Sequence, residues 1–379
     1  MAGRTTKLIL GLLVAGSSAL VLSGCGTFFI KPTSSGGGGG GTGSTSNLVY
    51  VGNTLTNSLS GFSIGTGTLA TVPNMPYALG FSPLAEVVTV ANSYLYVAGP
   101  GAIYAYLIGS DGSLTAPAAG AGQVIVFTLA LDVTPDGNWL VGLDGTTTQL
   151  DIFAINKTTG GLTLTSVAPY SVTTASVRPK MVKVSADGTL IFAALGTGGD
   201  VVFTFNTTKG TATLSQTLAP VSAQTSDNAV AVDSTASFLY IARSGTSGGL
   251  ASYAIGNGGL LTPVAGIPFA AGTQPLAVVL DSTGKFAYVA NGSDATISGY
   301  SLAAGVAKAL AGSPYASGAT VSSLASDRTG KYLVAAAFAG SPDRTLYSFD
   351  ATVPGKLNQA TTAASGTDPA GALIVTTSH

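Results

Sequence analysis

The stretch Pro275-Leu-Ala-Val-Val-Leu-Asp281-Ser-Thr-Gly284-Lys-Phe-Ala-Tyr288-Val-Ala-Asn291, continued by Ile297-Ser-Gly-Tyr300-Ser-Leu302, decides the fold. Short apolar, β-branched and aromatic runs alternate with an Asp/Ser/Thr/Gly cluster, which reads as strand, tight turn, strand, loop, strand. A fourth short strand is expected before Gly312-Ser-Pro314-Tyr315. The pattern recurs from 229, 179, 129 and 324, and residues 77–82 are expected to open a further copy. Aligning the end of each second strand gives Asn53, Gly99, Asp144, Leu195, Arg243, Asn291 and Ala337, at spacings of 46, 45, 51, 48, 48 and 46. Seven copies at this period predict an all-β, seven-bladed β-propeller of four-stranded blades. The first copy, starting at Leu48, lacks an opening strand, and residues 369–376 form an orphan one. Pairing the two closes the ring and covers edges that would otherwise seek partners.

Composition agrees. Charged residues are 8% of the 379, a third of the usual share, and Glu86 is the single glutamate. So little Glu, Lys and Arg leaves few exposed helix faces. The net charge of −1 comes without a basic cluster, which excludes the counterion-displacing footprint of a nucleic-acid binder.

The amino-terminal segment is organised differently. Arg4 and Lys7 precede an apolar run over 8–22, about 15 residues and short for a membrane span. It ends in Leu22-Ser23-Gly24-Cys25, which resembles the lipobox of bacterial lipoprotein precursors. That resemblance implies a signal peptide over 1–24 and a diacylglyceryl thioether on Cys25, the only cysteine. Residues 25–47, rich in Gly, Ser and Thr, read as a flexible tether, and the propeller spans 48–379. The expected location is the cell envelope outside the cytoplasm. The outer membrane is favoured because Gly26 stands where an aspartate would signal inner-membrane retention. The expected membrane partner is reached through this lipid, and the domain is expected to be a monomer.

The unit Phe286-Ala-Tyr-Val-Ala-Asn291 with Ile297-Ser-Gly-Tyr-Ser resembles the YVTN-type repeat of exported propellers. With Thr159-Gly160-Gly161-Leu162 and Gly312-Ser-Pro314-Tyr315, the chain from 48 to 376 resembles the seven-bladed lactonase family that includes 6-phosphogluconolactonase. The resemblance implies lactone or cyclic-ester hydrolysis. It further implies a histidine near Pro179 and an Asp-Arg pair before the third strand of that blade. Lys180 stands near the histidine's place, Asp200 matches the aspartate, and Val201 replaces the arginine.

Lactone hydrolysis needs a base to activate water and a donor for the oxyanion. The sole histidine is His379, expected to be frayed, so Asp200 or Glu86 would supply the base, with Lys180, Arg178 or Arg243 as donor. Glu86 is expected between blade-two strands, as surface. Asn53, Asp144, Arg243 and Asn291 are expected to form a polar ring at the channel mouth. With Arg178 and Lys180 they are the candidate binding residues for a small polar or anionic ligand. The oxygen set of Asn53, Asp144 and Asn291 is too weakly charged for calcium, and no His/Cys spacing suits zinc, so neither metal nor cofactor is expected. Two functions remain open: a lactone hydrolase, or a non-catalytic propeller that binds a glycan, peptide or envelope partner.

Overall fold

The computed structural model describes residues 44, 46–116, 123–172, 177–338, 342–363 and 372–379. The expected signal peptide, Cys25 and the expected tether up to 43 lie outside them. The described residues form seven antiparallel sheets of four principal strands each. Blades one to seven are numbered here by their second strands, which begin at Leu48, Tyr94, Trp139, Leu190, Phe238, Phe286 and Tyr332. Ala372–Thr377 pairs with Leu48–Asn53 as the inner strand of blade one, and the ring is closed by its own carboxy-terminal segment. Leu48 N–H donates to Ser378 Oγ at 2.9 Å, and Ser378 N–H returns a bond to Leu48 O.

Each wedge between neighbouring blades holds one hydrophobic cluster, and there are seven. Both faces of each blade are therefore covered, which is why the second strands read as continuous apolar runs, such as the fully buried Tyr94–Gly99. The inner turns use the Asp-Gly and Thr-Gly signals as expected: Gly137, Gly188 and Gly330 all have positive φ. An aspartate caps most of them. In blade six Asp281 accepts from Thr283 and Phe286, and in blade seven Asp327 accepts from Lys331 and Tyr332.

A second device joins each blade to the next. The first residue of every second strand reaches the outer turn of the following blade at a glycine. Leu48, Tyr94, Trp139, Leu190, Phe238 and Phe286 lie against Gly112, Gly160, Gly210, Gly259, Gly305 and Gly355. Tyr332 completes the set by accepting a bond from Gly67 N–H at 2.9 Å. Tyr50, Tyr96 and Tyr288 add hydroxyl bonds to backbone carbonyls of the same turns.

One expectation fails here. Residues 77–82 do not open blade two, whose inner strand is Ala85–Val88. Tyr77–Ala78 instead pairs with Leu59 and Ser58 on the third strand of blade one. The same Pro-aromatic unit returns as Tyr315–Ala316 on the third strand of blade six and as Phe269 bridging Leu250 in blade five. Its apolar alternation imitates an opening strand, but it serves as a hook on the blade before it.

Candidate functional site at the mouth face

The connections from second to third strands gather on one face, the mouth. Asn53, Asp144, Arg243 and Asn291 all stand there and all are buried, yet no hydrogen bond joins one to another among the described residues. Each turns into its own blade. Asn53 donates to Ser58 and Ser60, and Asn291 donates to Thr296 and Ser298 at 3.1 and 2.9 Å. These are clamps across a strand connection, and the expected polar ring is absent as a joined site.

Arg243 is locked more tightly. Its Nε and Nη2 donate to both oxygens of Asp227 at 2.6 and 2.9 Å, and Nη2 also reaches Tyr253 Oη at 3.2 Å. Asp200 lies beside this pair, 2% exposed. Burial first, and then the neighbouring Asp227 carboxylate, hold Asp200 well above the usual carboxylate range, with Arg243 opposing. The candidate base Asp200 is thus sealed between blades four and five, beside the Arg243–Asp227 pair.

Glu86 also departs from expectation. It belongs to the inner strand of blade two and is 7% exposed, between blades one and two. Its Oε2 occupies the space that a side chain at Gly52 would take. Neither carboxyl oxygen accepts a hydrogen bond of good geometry. Burial pushes its pKa up to about 8, and the Gly52 amide offsets only part of that. His379 is not frayed: its N–H donates to Asn92 Oδ1 at 2.7 Å and its ring meets Val88 O at 3.0 Å. Burial lowers its pKa, and it sits on the face opposite the mouth.

An open polar cleft lies on the mouth between blades three and four, with a volume of about 140 Å³. Asp144, Thr146, Thr147, Thr148, Tyr170 and Pro179 line it, with Gly145 and Val177. Asp144 Oδ1 accepts from Thr146 N–H, Thr146 Oγ1 and Thr147 N–H at 2.6–2.7 Å. Burial raises Asp144, but these donors more than offset it and hold the carboxylate below its usual range. Tyr170 is 3% exposed, stacks edge-on against Phe203, and its hydroxyl has no partner. Burial, then Asp144 and Asp151, push the phenol up to about 12. Asp151, 1% exposed, accepts from Gln149 at 2.7 Å and is pushed up to about 6, chiefly by burial.

Arg178 and Lys180 flank Pro179 at the cleft edge, exposed and without side-chain bonds among the described residues. Lys180 leans over Gly196 towards Ser226. A second cleft of about 170 Å³ opens on the opposite face, but its Tyr94 hydroxyl and Lys157 amine are bonded within the protein. Among the described residues no group of three His, Cys, Asp or Glu side chains could hold a metal.

Sequence reasoning missed Tyr170, Asp151 and the buried Asp343–Arg344 pair of blade seven. Arg344 Nη2 meets Asp343 at 3.3 Å and its guanidinium lies 4.7 Å from the Phe62 ring of blade one. An Asp-Arg pair opening a third strand was sought in blade four and is present in blade seven.

Residues 197–313 match the family model described as lactonase, seven-bladed β-propeller. This lactonase-type segment runs from the end of blade four's second strand through blade six, under a third of the chain. No curated protein matches the chain by sequence. Among solved structures, a putative 6-phosphogluconolactonase from Bacteroides uniformis is 16% identical, with a TM-score of 0.72 over 88% of this chain and 99% of that one. A putative 6-phosphogluconolactonase from Bacteroides fragilis is 14% identical, with a TM-score of 0.70 over 88% and 98%. The periplasmic gluconolactonase of Pseudomonas aeruginosa is 13% identical, with a TM-score of 0.68 over 88% and 99%. At these identities the likeness is one of fold. The lactonase-type segment contains Asp200, Arg243 and Asn291, whereas Asp144, Arg178 and Lys180 stand before it.

Proposed function

We propose that this chain is an extracytoplasmic lactonase-like propeller, lipid-anchored through Cys25, that binds a sugar lactone or related cyclic ester on its mouth face. The mouth cleft between blades three and four carries the reading. It is open and polar, and it is lined by an ionised carboxylate, threonine hydroxyls and an unpaired phenol. The other acids and Arg243 are engaged or sealed, so the arrangement favours recognition over turnover. A non-catalytic role for a glycan or envelope partner would use the same face.

Hydrolysis is the second reading, favoured by the lactonase family match and by the gluconolactonases among the structural relatives. Water would attack the lactone carbonyl, the ring C–O bond would break, and the base and oxyanion donor would come from Asp144 and Arg178 or Lys180. Asp144 is a weak base while three donors clamp it. Purified domain incubated with a lactone panel, with acid release followed by pH-stat, separates the two readings. Binding without release supports recognition alone, release abolished in Lys180→Ala supports hydrolysis, and neither binding nor release overturns both.

Anchoring is supported by the lipobox-like Leu22–Cys25 and the glycine-rich tether, with the propeller acting as a monomer held at the envelope, the outer membrane favoured. Two or more acyl chains give stable attachment where one does not. In cells fed labelled palmitate, the protein should carry label and fractionate with membranes, and Cys25→Ser should lose both. Label retained in Cys25→Ser refutes the anchor.

A further inference from the structure

We infer that the cleft between blades three and four is a subsite for one uncharged, hydroxyl-rich ring, which accepts a hydrogen bond from Tyr170 and donates one to Asp144. The inference rests on the proposed small-ligand role of the mouth face and specifies where the ligand sits and what charge it carries.

Three observations carry it. Tyr170 is buried, lines the cleft, and holds a hydroxyl without a partner. A buried donor left unmade is costly, and a ligand oxygen in the cleft would satisfy it. The phenol is positioned by its ring on Phe203 and by Tyr170 N–H donating to Thr148 O, so it is fixed before any ligand arrives. Asp144 is similarly prepared: Oδ1 is saturated by Thr146 and Thr147, and with the Thr147 hydroxyl also bearing on the carboxylate, Oδ2 keeps acceptor capacity for a ligand. It is a held acceptor that suits a ligand hydroxyl.

The lining sets the ligand's charge. Asp144 is anionic, and the further carboxyl of Asp151 lies behind it, whereas the exposed Arg178 and Lys180 stand at the edge and outside the lining, with Lys180 leaning over Gly196. A carboxylate or phosphate entering here meets like charge in a partly buried site. A cation finds only one ionised carboxylate, too few for a dedicated hard-cation site. A neutral ring meets hydroxyl donors and acceptors from Thr146–Thr148, with Val177 and Pro179 as an apolar wall for its C–H face. About 140 Å³ is below the range of drug-sized pockets and suits a single ring.

The test is calorimetric titration of the purified propeller with methyl glucopyranoside, freshly dissolved gluconolactone, gluconate and 6-phosphogluconate. The neutral probes should bind and the two anions should not. Tyr170→Phe should weaken the neutral probes by about tenfold and Asp144→Asn by at least that much, the latter also admitting the anions. Because the Tyr170 hydroxyl bonds nothing in the protein, Tyr170→Phe should melt at or above the parent's temperature. Lactone binding that both variants leave unchanged overturns this subsite and spares the mouth-face reading. Tighter binding of 6-phosphogluconate overturns the charge argument, and no binding of any probe overturns both.

Discussion

Replacing Glu86 with glutamine should make the propeller more stable as pH rises, and the size follows from where the carboxyl sits. Glu86 is sealed between blades one and two, beside Gly52 and Pro83, with no cation near enough to register. Its pKa is about 8 in the fold against an ordinary 4.5. Below pH 4.5 both folded and unfolded chains hold the proton and the residue imposes no pH-dependent cost. Between 4.5 and 8 the unfolded chain releases a proton that the folded chain keeps, so stability falls with pH. Each pH unit is worth about 1.4 kcal/mol, which makes the loss about 3 kcal/mol at pH 7 and about 5 kcal/mol well above 8. Glutamine has nearly the same shape and never ionises, but its amide adds a second buried donor at a cost of about 1 kcal/mol. Glu86→Gln should therefore be slightly less stable than the parent at pH 4 and about 2 kcal/mol more stable at pH 7. Guanidinium unfolding at a series of pH values reads this directly, and the other titrating groups cancel in the difference between the two proteins. A parent–variant difference that stays flat from pH 4 to 8 would falsify the assignment of a buried neutral acid.

Three further outcomes are expected. Gly355→Ala should lower stability by about 2–4 kcal/mol, since φ is +77° and a Cβ would strike the Phe286 ring; thermal melting checks it, and an unchanged melt refutes the inter-blade clasp. Asp227→Ala should cost about 3–5 kcal/mol by leaving Arg243 buried and unpaired, whereas Asp227→Ala combined with Arg243→Met should recover much of it in chemical denaturation. Removing 372–379 should leave Leu48–Asn53 without its inner partner, giving aggregation on size exclusion; a monomer of parental stability refutes closure by this strand.

The fold was legible because the propeller repeats its chemistry. Strand alternation, Asp-Gly turns and a period near 47 are local properties that seven copies make additive, and the orphan strand at the end was visible by subtraction. The error at 77–82 arose because a Pro-aromatic hook and an opening strand share the same short apolar alternation. Only the pairing of Tyr77 with Leu59 distinguishes them. The site was less legible for a different reason. A residue's register position predicted that Asn53, Asp144, Arg243 and Asn291 would reach the mouth, but not where their side chains would turn. Asn53 and Asn291 find hydroxyls a few residues on, and Arg243 finds Asp227 across its own hairpin. Tyr170 carried no motif at all, since its significance lies in a hydroxyl that the fold leaves unpaired.

The placement of charge links stability and function. A chain with so few ionisable groups nevertheless buries several of them in different wedges. Glu86 lies between blades one and two, Asp200 with Asp227 and Arg243 between four and five, and Arg344 between seven and one. Hydrophobic wedges alone are nearly interchangeable, and a buried polar group that is satisfied in only one pairing distinguishes one wedge from the others. Arg344, held by Asp343 and lying over Phe62 of blade one, fits that role, whereas Arg243 and Asp227 share one hairpin and meet blade four only through Asp200. Asp144 and Tyr170 differ from both, because Asp144 lines an open cleft and the buried Tyr170 hydroxyl beside it has no partner. The lactonase-type segment at 197–313 thus contains the locked Arg243–Asp227 cluster, while Asp144 and Tyr170 stand earlier in the chain. The proposed recognition site therefore lies on blades three and four, ahead of the segment that matches the lactonase model.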